Sequence, residues 1–119
     1  MGYCMTQNHT EFMITKDNVK KMREELNLNK DGQLIRLFDQ GRWAVEFDDD
    51  GNVNDIQFEG EKKGWGEDEL FEKIAPFVKD GSFIEMHGED GGMWRWVFKN
   101  GTCTEIYPTI TWAGQEEGF

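Results

Sequence analysis

The chain has 119 residues, 37% of them hydrophobic and 13% aromatic, and a formal charge of −11. That is enough for one domain, residues 1–119, around a core in which nine Phe and five Trp supply much of the apolar area. The charge is +1 over residues 1–45, −9 over 46–72 and −3 over 73–119; such a field opposes nucleic acid and anionic lipid and favours a basic protein partner.

No stretch approaches the roughly 18 uninterrupted apolar residues of a membrane span, and Met1-Gly2-Tyr3-Cys4 lacks the basic and apolar regions of a signal peptide. The expected location is the cytoplasm. Cys4 and Cys103, one near each end, lack metal-type spacing and read as free thiols, with a single bridge as the lesser alternative, and no cofactor is expected.

Thr10 to Thr15 reads as a short strand. Thr15 or Asp17 can then cap a helix running to about Leu28, with Val19, Met22 and Leu26 on one stripe. Asn29-Lys30-Asp31-Gly32 is a turn. Residues 33–40 fit a short helix or a buried strand, and helix is the preferred reading.

From Trp43 to Phe47 and from Val53 to Phe58, two apolar runs flank Asp48-Asp49-Asp50-Gly51, the signature of a β-hairpin. Glu59 to Gly66 is a loop. A helix starts at Glu67-Asp68-Glu69, acids placed where they complement its dipole, and Pro76 distorts or ends it. Ser82–Gly88, Met93–Lys99 and Thr102–Tyr107 form a three-stranded meander, turned at Glu89-Asp90-Gly91-Gly92 and at Asn100-Gly101. Thr109 to Trp112 adds a short strand, and residues 113–119 read as a frayed tail.

The expected fold is therefore α+β in two layers: an antiparallel sheet, made of the C-terminal meander plus the central hairpin, with two to three helices packed on one face. A two-residue turn at Asn100-Gly101 pairs Phe98 with Cys103, Trp96 with Glu105 and Trp94 with Tyr107. Carried across the Gly91-Gly92 turn, the same parity gathers Phe83, Glu85, His87, Trp94, Trp96, Phe98, Cys103, Glu105 and Tyr107 on one face. The other face holds Ile84, Met86, Met93, Arg95, Val97, Thr104 and Ile106. The rings either complete the core or form an exposed platform of the kind that anchors a partner.

Three constellations carry possible chemistry. Glu85, His87 and Glu105 on one sheet face could serve a metal or acid/base work, against the simpler reading of His87 as a structural residue. Asp48 to Val53 resembles a calcium loop in its acids and Gly51. Glu46 and Gln57 occupy the positions where the opening Asp and closing Glu belong, and strands flank it, so a solvated hairpin turn is the better reading. The acidic middle segment is either a solubilising surface or a recognition surface that imitates phosphate charge.

Lys79-Asp80-Gly81-Ser82-Phe83-Ile84-Glu85, Gly88-Glu89-Asp90-Gly91 and Trp94-Arg95-Trp96-Val97-Phe98, with Met1-Gly2-Tyr3 at the start, resemble a group of small uncharacterised bacteriophage, prophage and bacterial proteins. The likeness is best from about Leu70 to Lys99. It implies a phage or mobile-element setting, in which small acidic proteins often bind a host protein; no catalytic role transfers with it.

The expected function is thus a non-enzymatic, acidic protein-interaction module, an inhibitor or accessory protein. Asp48, Asp49, Asp50, Glu67, Asp68 and Glu69 would steer a basic partner, and Trp94, Trp96 and Tyr107 would anchor it. The alternatives are a small metal-dependent or acid/base enzyme using Glu85, His87 and Glu105, and a homo-oligomer whose aromatic face is self-buried.

Overall fold

The structure, a computed structural model, describes residues 3–30, 32–64 and 66–109. Along the chain run β1 (Met5–Glu11), α1 (Lys16–Glu25), α2 (Gln33–Asp39), β2 (Trp43–Phe47), β3 (Val53–Phe58), α3 (Glu67–Ile74), a 3-10 turn (Ala75–Phe77), β4 (Phe83–Gly88), β5 (Met93–Lys99) and β6 (Thr102–Ile106). The fold is α+β. An antiparallel sheet in the order β1-β4-β5-β6 is accompanied by the two-stranded hairpin β2-β3. The expected short strand and tail after Thr109 lie outside the described residues.

Local chemistry sets the helix limits. Thr15 Oγ1 accepts the Asn18 N–H and caps α1. The helix ends three residues before the expected Leu28, because Asn27 turns to φ +56° and the Leu28 N–H folds back onto the Arg23 carbonyl. Residues 33–39 are helical, burying Leu34 and Phe38. Pro76 converts the end of α3 into the 3-10 turn, as its missing N–H requires.

The first strand is a correction. It spans Met5–Glu11 rather than residues 10–15, and beyond it Ile14 makes only an isolated bridge to Val53. Of its seven side chains only Met5 is buried, so it lacks an apolar alternation. Its open side is held by the Gln7 amide, which accepts the Phe58 N–H at 2.7 Å and donates to the Ile56 carbonyl at 2.8 Å, mimicking a strand peptide between the sheet and the hairpin.

The face assignment is also corrected. Across Asn100-Gly101 the register is as expected, with Phe98 opposite Cys103 and Trp96 opposite Glu105. Across the other turn, Ile84 faces Trp96 and Met86 faces Trp94. Gly88 closes on Gly92 through the Gly88 N–H to Gly92 carbonyl bond, so the loop holds three residues, with Gly91 at φ +85°. One residue fewer in the loop moves every side chain of β4 to the opposite face. A Cβ at Gly88 would lie 1.5 Å from the Tyr3 hydroxyl, so a side chain there would displace the Tyr3 ring.

Ile84, Met86, Trp94, Trp96 and Phe98 therefore share the inner face, which the hairpin and α3 cover. Trp96 is 2% exposed and meets Trp43, Phe71 and Trp94 edge to face, at centroid distances of 6.1, 4.9 and 5.8 Å. The indole N–H groups of Trp43, Trp94 and Trp96 are buried without an acceptor among the described residues. Ring contacts worth about 0.5–1.5 kcal/mol each offset an unmade hydrogen bond of about 1–3 kcal/mol, so ring packing sets the orientation of Trp96.

Candidate functional site

The burial of Trp94 and Trp96 removes two of the three expected anchors. They do lie on one face, but that face is the core, covered by the hairpin and α3. It equally rules out an aromatic sheet face self-buried between copies. Only Tyr107, 65% exposed, is left at the surface.

The six steering acids also divide. Asp48 is a turn residue: its carboxylate accepts the Asp50 and Asn52 N–H groups and the Asn52 side-chain amide, which hold it below the usual carboxylate range, the Asn52 side chain contributing most. Glu67 is 2% exposed, and its Oε1 accepts the Gly64 N–H at 2.7 Å, pinning the loop into α3. Asp49, Asp50, Asp68 and Glu69 are exposed. The tip carrying Asp49 and Asp50 sits beside the start of α1, where Asn52 Oδ1 accepts the Lys16 N–H, whereas Asp68 faces β6, so the acids form no single patch.

Glu85, His87 and Glu105 do not meet. Glu85 and His87 are on the outer face of the sheet, and Glu105 is on the inner one. Glu85 accepts from Arg95 at 2.8 Å, and His87 Nδ1 pairs with the Asn8 side chain. Among the described residues no group of three His, Cys, Asp or Glu side chains converges as a metal would require. No helix among them is long and apolar enough to cross a membrane.

What the fold assembles instead is a groove of about 640 Å³ between α3 and β6. Asp68 and Glu72, one helical turn apart, and Glu105 bring carboxylates to its walls, and Phe71 and Trp96 form its apolar floor. Asp68, Glu72 and Tyr107 are exposed, and Glu105 is partly so. Lys63, seated 4.6 Å from the Trp94 ring centroid, reaches Glu105 at 3.7 Å and offsets one of the three acids. The Tyr107 hydroxyl donates to Glu105.

Cys103 reports the local field. Its thiol is pushed up to about 12, first by burial and then by the carboxylates of Asp68 and Glu105. Tyr107 is also raised, chiefly because its hydroxyl bonds Glu105, with Asp68 adding to it. A side chain that loses a proton to become an anion here is disfavoured, and a cation is favoured for the same electrostatic reason.

Glu72 was not among the expected site residues, although its i, i+4 spacing from Asp68 was readable in the sequence. Glu105 enters the sequence reading only as a metal or acid/base candidate beside Glu85 and His87. No family model, curated protein or solved structure matches the chain.

Proposed function

We propose that the protein is a non-enzymatic binding module that takes a basic surface of another protein on the α3–β6 side, acting stoichiometrically as an inhibitor or accessory protein. The observation that carries this reading is the groove itself: three carboxylates around an apolar floor, with one lysine to offset them. Carboxylates set along a groove over a packed base steer a basic partner and fix its register. Tyr107, beside Glu105, supplies an exposed ring of the type enriched at such interfaces. The phage-type resemblance of residues 70–99 fits a partner in the host cell.

The deciding experiment captures partners from host lysate on the protein and on Asp68→Lys, Glu72→Lys double variants, at low and high salt. A partner held by the groove is lost from the variant and released by salt. A partner retained equally by both proteins would reject this surface. Asp48 and Glu67 are unsuitable for the test, because each secures a turn.

A further inference from the structure

We propose that the basic partner enters as an extended strand, pairing with the edge of β6 that faces away from β5 and laying alternate side chains into the α3–β6 groove. This rests on the binding function proposed above and specifies how the partner is held.

Backbone geometry gives the first support. Asn100 and Gly101 have φ of +54° and +76°, the type I′ turn of a two-residue hairpin, in which the flanking residues Lys99 and Thr102 exchange both backbone hydrogen bonds. Bonded and non-bonded pairs then alternate, so Thr104 and Ile106 bond to β5 while Cys103 and Glu105 turn their N–H and C=O outward. Phe98, opposite Cys103, agrees: its N–H goes to the Ser82 carbonyl and its carbonyl accepts from Gly81, both away from β6. Among the described residues β6 pairs with β5 alone.

The other edge of the sheet is partly occupied. The Gln7 amide bonds β3, and the Met5 N–H bonds the Glu61 carbonyl, so β1 has little left to offer. β6 carries neither Lys nor Pro, its one charge is the inward-facing Glu105, which deters like-charged or apolar strands but not a basic one, and Thr102-Cys103-Thr104-Glu105-Ile106 is a good strand sequence.

Charge selects the occupant. A second copy of β6 would bring its own Glu105 against this groove, and like charges repel. A basic strand meets no such penalty. Side chains beside Cys103 and Glu105 would face Asp68 and Glu72, whereas those beside Thr104 and Ile106 would lie toward the outer face, where Ile106 is 44% exposed. The fitting segment alternates basic and apolar residues, and about five of them span roughly 17 Å.

The test titrates the full chain calorimetrically, at low salt, with a capped Lys-Val-Lys-Val-Lys peptide and with two N-methylated counterparts, each blocked along one edge of the strand. Strand addition requires that one methylated peptide lose at least about tenfold in affinity while the other keeps its own. The parent peptide must also weaken by a similar factor against the Asp68→Lys, Glu72→Lys variant. Equal affinity for all three peptides would overturn strand pairing and leave the charge-based binding function standing. Failure of every peptide to bind, or indifference to the charge reversal, would overturn both.

Discussion

Cys103 is a built-in probe of the groove. Its thiol, raised to about 12 from an ordinary 9.0, holds about a thousandfold less thiolate than a free cysteine at any pH below both values. Burial is the largest cause, and Asp68 and Glu105 add to it, so Asp68→Asn with Glu105→Gln should bring the value part of the way down. The assay is alkylation by iodoacetamide as a function of pH in a Cys4→Ser background, with thiolate absorbance as the second readout. Restricted access slows the reaction equally at every pH, whereas ionisation sets the shape of the profile; the shape is therefore what matters. The rate should still be climbing above about pH 10, and the neutralised variant should reach the same fraction at lower pH. A plateau beginning near 9, or identical profiles for both proteins, would refute a half-buried thiol facing two carboxylates.

Gln7→Ala leaves the Phe58 N–H and the Ile56 carbonyl without their partner and should cost about 1–3 kcal/mol in denaturant unfolding; an unchanged midpoint would show that the amide bridge is not needed. Gly88→Ala should cost a similar amount, about 1–3 kcal/mol, because its Cβ displaces the Tyr3 ring, and Tyr3→Ala in the same chain should recover much of the loss. Tyr3 donates to Asp90, which pushes its phenol up to about 12 and holds Asp90 below the usual carboxylate range. The raised phenol contributes stability below about pH 10 that is lost as pH rises toward 12; the lowered carboxyl contributes stability that is lost as pH falls through its depressed value. In a Tyr107→Phe background, absorbance titration should show no phenolate step near 10 and a return toward 10 in Asp90→Asn.

Features written in backbone conformation were legible in the sequence. Asn100-Gly101 gave the β5–β6 register, Pro76 the break after α3, and Thr15 or Asp17 the cap of α1, of which the structure uses Thr15, because each acts on residues a few positions away. The polar strand β1 was not legible: its pairing depends on β4, and Gln7 supplies through its side chain what an apolar alternation would otherwise announce. The face error arose from a single residue. Gly88 and Gly92 pair, the loop shortens from four residues to three, and Glu85 and His87 turn away from Glu105.

The candidate site was half legible. Charge in the middle of the chain pointed to Asp68, but exposure is a tertiary property, and it separated Asp68 from Glu67 one residue away. Trp94 and Trp96 could be placed on one face from their spacing; whether a second layer covers that face depended on where the β2-β3 hairpin docks, and Trp43 brings it directly onto Trp96. The groove with Glu72 and Glu105 exists only because α3 lies along β6.

Residue-resolved amide hydrogen exchange of the free chain reads the β6 edge directly. With the edge open, Cys103 and Glu105 should exchange quickly while Thr104 and Ile106, bonded to β5, exchange slowly, and addition of the Lys-Val peptide should slow Cys103 and Glu105. Slow exchange at Cys103 and Glu105 in the free chain would contradict an open edge and, with it, the strand-shaped site for a basic partner.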